Sequence, residues 1–209
     1  MSTDLLNDVR DGIDLTLAPL SVDQYHQMIR DGILHDGDPI ELIEGTLVYK
    51  DRRDKTGGIM THGSRHLNTL NRLTAILSRW VSGRTAYLQV QGPITLDCQS
   101  EPEPDCSVIA GSLDDFRDAI PHAATVLGVF EVADSSLRRD RRTKYRLYAE
   151  AAIPIYVIVN LNDNLIEVHS DPISAESRYG SRDEYQRGDT VEIPVGDIGL
   201  LSIAVQDLL

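Results

Sequence analysis

Two acids stand where a carboxylate can do chemistry. Asp105 follows Pro104 and opens the apolar stretch 105–110, while Glu131 sits in Val129-Phe130-Glu131-Val132. Carboxylates are rarely buried among such neighbours unless they are paired or bound to a metal ion. If the two stretches are adjacent strands, their acids meet at the strand ends and could hold one divalent cation through oxygen ligands, as Mg2+ prefers. The plainer readings are a strand-entry residue for Asp105 and a salt-bridged strand residue for Glu131.

Lys144 lies thirteen residues beyond Glu131, in a segment with helical periodicity. It shares a face with Asp140 and Tyr148 at four-residue spacing. A helix folding back on the sheet would aim its ammonium at the two acids; otherwise it is an exposed helix lysine. Glu44 is a third acid, at the break of a hairpin-like segment. His62 stands at the expected start of a long helix, where the positive dipole end favours a neutral imidazole. Arg138, Arg139, Arg141 and Arg142 form a dense basic patch that is either a solvated helix start or a receptor for phosphates.

These residues need elements to hold them. Ser21 and Gln24 read as a capping box that starts a helix with Tyr25, Met28 and Ile29 on its apolar face and Gly32 as its stop. Residues 40–50 read as a β-hairpin broken at Glu44-Gly45. A charged loop over 51–61 leads to a helix from about His62 to Val81. There Leu67, Leu70, Leu73, Ile76, Leu77 and Trp80 recur at three- and four-residue intervals, the pattern of a core-facing stripe. Strand-like segments follow at 85–96, 105–110 and 125–133, then a helix over 138–152 with Tyr145, Tyr148, Ala149 and Ala152 on one face. The apolar run 153–160 suits a strand buried on both faces. Alternating residues over 164–209 read as antiparallel strands. The order predicts an α/β fold, a mixed sheet flanked by helices. The economical division is a flexible stretch over 1–14 and one domain over 15–209.

The chain has 209 residues, 41% hydrophobic, with 33 acidic and 20 basic side chains and a net charge of −13. That length can bury a real core, and that apolar content excludes a disordered chain. The acidity argues against wrapping nucleic acid without a local device, because phosphates repel a negative surface. Cys98 and Cys106 are too few for a disulfide framework and read as two reduced thiols on neighbouring buried elements. No apolar run is long enough to cross a membrane. The first residues lack the regions of a signal peptide, so a cytoplasmic protein is expected.

In order, ELIEG (41–45), His62, Pro104-Asp105, FEVADSS (130–136), the D-x-x-x-K-x-x-x-Y run over 140–148, AAIPIYVIVN (151–160) and the ending GDTVEIPVGDIGLLSIAVQDLL (188–209) resemble the Uma-two family of restriction endonucleases, within the PD-(D/E)XK nuclease superfamily. The resemblance covers residues 15–209. It implies a restriction-endonuclease-like core in which Asp105 and Glu131 hold Mg2+, or Mn2+ in its place. It further implies that a metal-bound water attacks a DNA phosphodiester and that Lys144 stabilises the transition state.

The superfamily's usual lysine follows the second acid by two residues, a position held here by Ala133; the Uma-two pattern takes it from the next helix instead. Glu44 and His62 match an acid and a histidine near the family's site. The chain departs from the family at Asp134-Ser135-Ser136-Leu137, and at Ile155-Tyr156-Val157 and Asn160. A DNA substrate, a homodimer suited to two cuts and no membrane partner complete this expectation. The alternative is a relative that keeps the fold as a binding or dimerisation module, with little or no catalysis.

Overall fold

Residues 126–133, VLGVFEVA, and 155–160, IYVIVN, are β-branched runs without a polar face, and they lie side by side at the centre of a six-stranded sheet. The computed structural model of the protein describes residues 17–35, 37–50 and 63–209. The expected flexible stretch over 1–14 lies outside these residues.

Helix α1 (Val22–Arg30) is followed by strands β1 (Ile40–Ile43) and β2 (Thr46–Tyr49), which form a separate hairpin. Helix α2 (Ser64–Val81) leads to β3 (Ala86–Val90), β4 (Cys106–Ala110) and β5 (Val126–Ala133). Helical segment α3 runs as Leu137–Arg139, a π-helical turn Asp140–Lys144, and Tyr145–Glu150. Strands β6 (Ile155–Asn160), β7 (Leu165–Ile173) and β8 (Arg178–Gln186) complete the sheet, in the order β3-β4-β5-β6-β7-β8. Within this sheet β5 and β6 are the one pair that runs parallel, because α3 carries the chain back between them. Strands β9 (Thr190–Val195) and β10 (Gly199–Ala204) form a second hairpin. Among the described residues, no helix is long and apolar enough to cross a membrane.

The sheet has two covered faces. On one, Leu70, Leu73, Leu77 and Val81 of α2 and the apolar residues of β9 and β10 pack on Val108, Phe130 and Val132. On the other, Tyr148, Ala149 and Ile153 pack on Val129, Ala133, Tyr156 and Ile158. Strand residues alternate between faces. Glu131, between Phe130 and Val132, therefore shares the α3 side with Val129 and Ala133.

Local chemistry sets the smaller elements. Both reciprocal bonds of the Ser21–Gln24 capping box form, at 3.2 and 2.8 Å. Glu44 and Gly45 both take left-handed backbone at the β1–β2 turn, as a two-residue primed hairpin requires. A Cβ at Gly45 would also lie 2.3 Å from the Cβ of Pro19.

Three expectations need correction. Leu67 is 48% exposed rather than on the core stripe, since it lies roughly a third of a turn around the helix from Leu73. Cys98 is exposed and only Cys106 is buried, because Cys98 stands in an exposed bend of the otherwise largely covered connection between β3 and β4. Ala152, placed on the buried face of the last helix, is exposed with a left-handed backbone, because the helix ends at Glu150 and the chain turns towards β6.

Candidate functional site

Strand register brings the two acids together. Strands β4 and β5 pair antiparallel with Cys106 opposite Phe130, so Asp105, one residue before Cys106, faces Glu131, one residue after Phe130. The backbone N–H of Asp105 donates to Glu131 Oε2 at 3.4 Å, and the N–H of Val132 donates to Asp105 Oδ2 at 2.9 Å. Each acid is thus clamped by the neighbouring strand's backbone.

Helix α3 supplies the cation. Lys144 Nζ donates to Glu131 Oε1 at 2.6 Å, and the Tyr148 hydroxyl donates to the same oxygen at 3.2 Å. Both charged side chains are almost wholly buried. Asp140, Lys144 and Tyr148 all face the sheet. The π-helical turn over Asp140–Lys144 lies directly beside the acids; such turns are rare and frequent at functional sites.

Further groups complete the cluster. Glu41 of β1 is buried, accepts the Glu103 N–H at 3.1 Å through Oε2, and holds Oε1 3.6 Å from Arg139 Nη1. His66 of α2 places Nε2 3.5 Å from Asp105 Oδ2. Asp140 is buried, and neither of its carboxylate oxygens makes a hydrogen bond of ordinary geometry.

The charges act on one another. Burial pushes the Glu131 carboxyl up, while the Lys144 ammonium pulls it back. Burial works against the charge of Lys144, but Glu131, Glu41 and Asp140 outweigh it and hold the ammonium protonated. Burial also opposes ionisation of Asp105, yet the hydrogen bonds from His66 and the Val132 N–H hold its pKa below the usual carboxylate range. His66 in turn is raised: burial lowers it, and Asp105 more than compensates. Asp140 is raised, chiefly by burial, with Lys144 pulling the other way.

The donor set suits a hard divalent cation. Asp105, Glu131 and Glu41 offer carboxylate oxygens, and acids outnumber the permanent cations Lys144 and Arg139 around them. Asp140 and Glu41 Oε1 keep buried oxygens without hydrogen bonds, which is the negative excess that a cation would balance. Among the described residues, no three acidic, histidine or cysteine side chains already converge as a preformed metal cage. Mg2+ is commonly held by one or two carboxylates, with water and phosphate filling the remaining positions. Among the acids and the histidine of the cluster, Asp105 and His66 are the most open, with side chains 15% and 13% exposed.

Of the residues singled out from the sequence, Asp105, Glu131 and Lys144 come together. Glu44 does not join them. It lies in the exposed β1–β2 turn and pairs with Arg146 at 2.6 Å, because the left-handed turn carries its side chain away from the buried Glu41. His62 lies outside the described residues. The arginine patch divides: Arg141 is spent on Glu167 at 2.8 Å and Asp163 at 3.4 Å, Arg139 faces Glu41, and Arg138 and Arg142 are exposed.

Glu41 and His66 were not singled out from the sequence. The signal for His66 was present, since it precedes Leu73 by two helical turns and so shares that residue's inward face. Glu41 alternates with Leu42 on a four-residue strand, too short a pattern to reveal its side.

The crystal structure titled as a "putative nuclease belonging to DUF820" from Anabaena variabilis ATCC 29413 matches this fold with a TM-score of 0.65 and 14% identity, over 91% of this chain and 97% of that one. No protein of curated function matches the chain. The family model Uma2, described as "Putative restriction endonuclease", matches residues 22–204; the chain that carries this acid and lysine cluster belongs to the Uma2 family.

Proposed function

We propose that the protein is a divalent-metal-dependent endonuclease that hydrolyses DNA phosphodiester bonds. The observation that carries this reading is the buried Glu131–Lys144 pair beside Asp105 at adjoining strand ends. The family description and the solved fold neighbour support the same class of activity.

Asp105 and Glu131 would hold Mg2+ or Mn2+, with Glu41 behind them. A bound cation of this kind lowers the pKa of its water and neutralises charge on the scissile phosphate. The protein's own part is positioning. Lys144 stays an ammonium, so it serves as a charge and a donor rather than as a base. Its bond to Glu131 Oε1 fixes that carboxylate and favours its ionised form, the form a metal needs. The Tyr148 hydroxyl orients the same oxygen. His66 holds Asp105 ionised on the open side of the cluster.

The test is cleavage of supercoiled plasmid with Mg2+ or Mn2+ by the wild type, Asp105→Asn and Glu131→Gln. Nicking or linearisation by the wild type, lost in both variants, supports the reading. Equal cleavage by all three would assign the activity to a contaminant and overturn it. A second reading, a nuclease fold retained as a binding or dimerisation module, is favoured by the net charge of −13. It predicts DNA or self-association without strand breaks under any divalent metal. A homodimer would supply two such centres to one duplex, which sedimentation of the intact chain measures.

A further inference from the structure

The acidic residues of this chain are unevenly placed. None of the 33 falls between Asp54 and Asp97, and no other acid-free interval is a third as long. That interval contains the whole of α2, whose eighteen residues SRHLNTLNRLTAILSRWV carry arginines and a histidine but no carboxylate.

The arginines are arranged as a stripe. Arg65, Arg72 and Arg79 recur every seven residues, so they lie along one side of the helix. All three are exposed, as are Asn68 and Asn71 beside them. The stripe spans roughly 21 Å at 1.5 Å per residue. It begins one residue before His66, which contacts Asp105 on the inner face of the same helix.

What these arginines touch distinguishes them from others in the protein. Arg117, Arg139, Arg141, Arg146, Arg178 and Arg182 each meet a carboxylate. Along α2, Arg65 donates to the side-chain oxygen of Asn164, and Arg72 donates to Asn68 Oδ1 and the Asp207 carbonyl. Arg84, just beyond the helix, donates to the carbonyls of Ile198 and Trp80 and stacks on the Trp80 ring. Neutral oxygens orient these guanidinium groups without neutralising them. In a protein of net charge −13, α2 therefore keeps its positive charge.

We infer that the outer face of α2, through Arg65, Arg72 and Arg79 with Asn68 and Asn71, binds the phosphate backbone of duplex DNA and carries it to the acid cluster. Phosphates are acceptor-rich anions that arginine engages by charge and paired N–H donors, while the asparagines add neutral donors of the kind common at DNA backbones. A backbone contact of this type reads no sequence, and it lets an acidic protein approach DNA through one face while the rest is repelled. The inference rests on the nuclease reading for its direction, since α2 begins beside Asp105, through His66. It also places the phosphate contacts on α2 instead of the 138–142 patch, where Arg139 and Arg141 already face acids.

The test is fluorescence anisotropy of a labelled random-sequence DNA duplex without divalent metal, across a salt series, with plasmid cleavage in Mg2+ or Mn2+ measured separately. The proteins are the wild type, Arg65→Gln/Arg72→Gln/Arg79→Gln, the single variant Arg79→Gln, and Arg138→Gln/Arg142→Gln. The expected result is at least about a tenfold loss of affinity in the triple variant, with the slope of log K against log salt reduced by about three, and by about one in Arg79→Gln. Arg138→Gln/Arg142→Gln should bind like the wild type.

Arg79 makes no hydrogen bond or ion pair among the described residues, so its single variant keeps the test valid if the triple variant fails to fold. Wild-type affinity and slope in the α2 variants would overturn the inference, as would loss confined to Arg138→Gln/Arg142→Gln. Cleavage by the wild type in either case would leave the nuclease reading standing. Loss of cleavage in Asp105→Asn with DNA binding intact separates the two in the other direction.

Discussion

Lys144 Nζ and Glu131 Oε1 meet at 2.6 Å inside the protein, with their side chains 3% and 5% exposed. A buried ion pair contributes little net stability, but losing one partner leaves the other stranded. Lys144→Met should therefore cost about 3 kcal/mol at pH 8. The stranded Glu131 has a raised pKa when folded, so its contribution is present at low pH and lost as pH rises. The destabilisation of Lys144→Met should accordingly shrink towards pH 5, and Glu131→Gln/Lys144→Met should recover part of it. Chemical denaturation at the two pH values measures both effects; a pH-independent cost would refute the stranded-charge account.

The metal-site reading makes its own thermal prediction. Mn2+ at a hundred times its dissociation constant should stabilise the wild type by about 2.7 kcal/mol. Asp105→Asn and Glu131→Gln should lose that increment. A melting temperature indifferent to Mn2+ in the wild type would count against a cation at these acids.

Glu41 and Glu44 are three residues apart and should behave oppositely. Glu44→Ala breaks an exposed pair with Arg146, so it should cost less than about 1 kcal/mol and leave cleavage intact. Glu41→Gln changes a buried acid whose charge reaches Lys144, and it should lower cleavage at least about tenfold. Plasmid assays of the two variants side by side decide this; equal losses would place Glu44 at the site after all.

His169 gives the fold a pH dependence away from the site. Tyr145, Tyr156 and Tyr179 surround its ring, and neither ring nitrogen makes a hydrogen bond. Burial pushes its pKa down to about 4, against a weaker pull upwards from Glu167. The unfolded chain then binds the proton more readily, so stability present above pH 6.5 is lost as pH falls towards 4. The loss from this residue should reach about 2 kcal/mol at pH 5. His169→Phe keeps an aromatic ring and should flatten that part of the profile. Urea midpoints at pH 7.5 and 5 for both proteins provide the measurement, and parallel profiles would exclude His169 as the cause.

Much of the scaffold could be read from local patterns. The Ser21 capping box, the Glu44-Gly45 turn and the strand at 155–160 each rest on chemistry within a few residues, and all three form. The inward face of α2 was legible at Leu70, Leu73 and Leu77, yet Leu67 was assigned to it wrongly because a three- or four-residue interval drifts around a helix. For the candidate site, the approach of Asp105 to Glu131 was expected from two strand-initial and strand-internal acids. Glu41, by contrast, gave no local sign of facing the cluster, since it arrives from a separate hairpin.

The sequence by itself determined the element types, the mixed α/β order and the presence of two acids and a lysine at family-like spacings, because periodicity and turn chemistry act over short stretches of chain. Only the tertiary structure decided which charges meet. The β4–β5 register sets Asp105 against Glu131, the fold-back of α3 buries Lys144 on Glu131, and the packing of the β1–β2 hairpin delivers Glu41 while leaving Glu44 in solvent. Charge interactions depend on distance and burial, and residues far apart in sequence acquire both only when the sheet and its covering helices close around them.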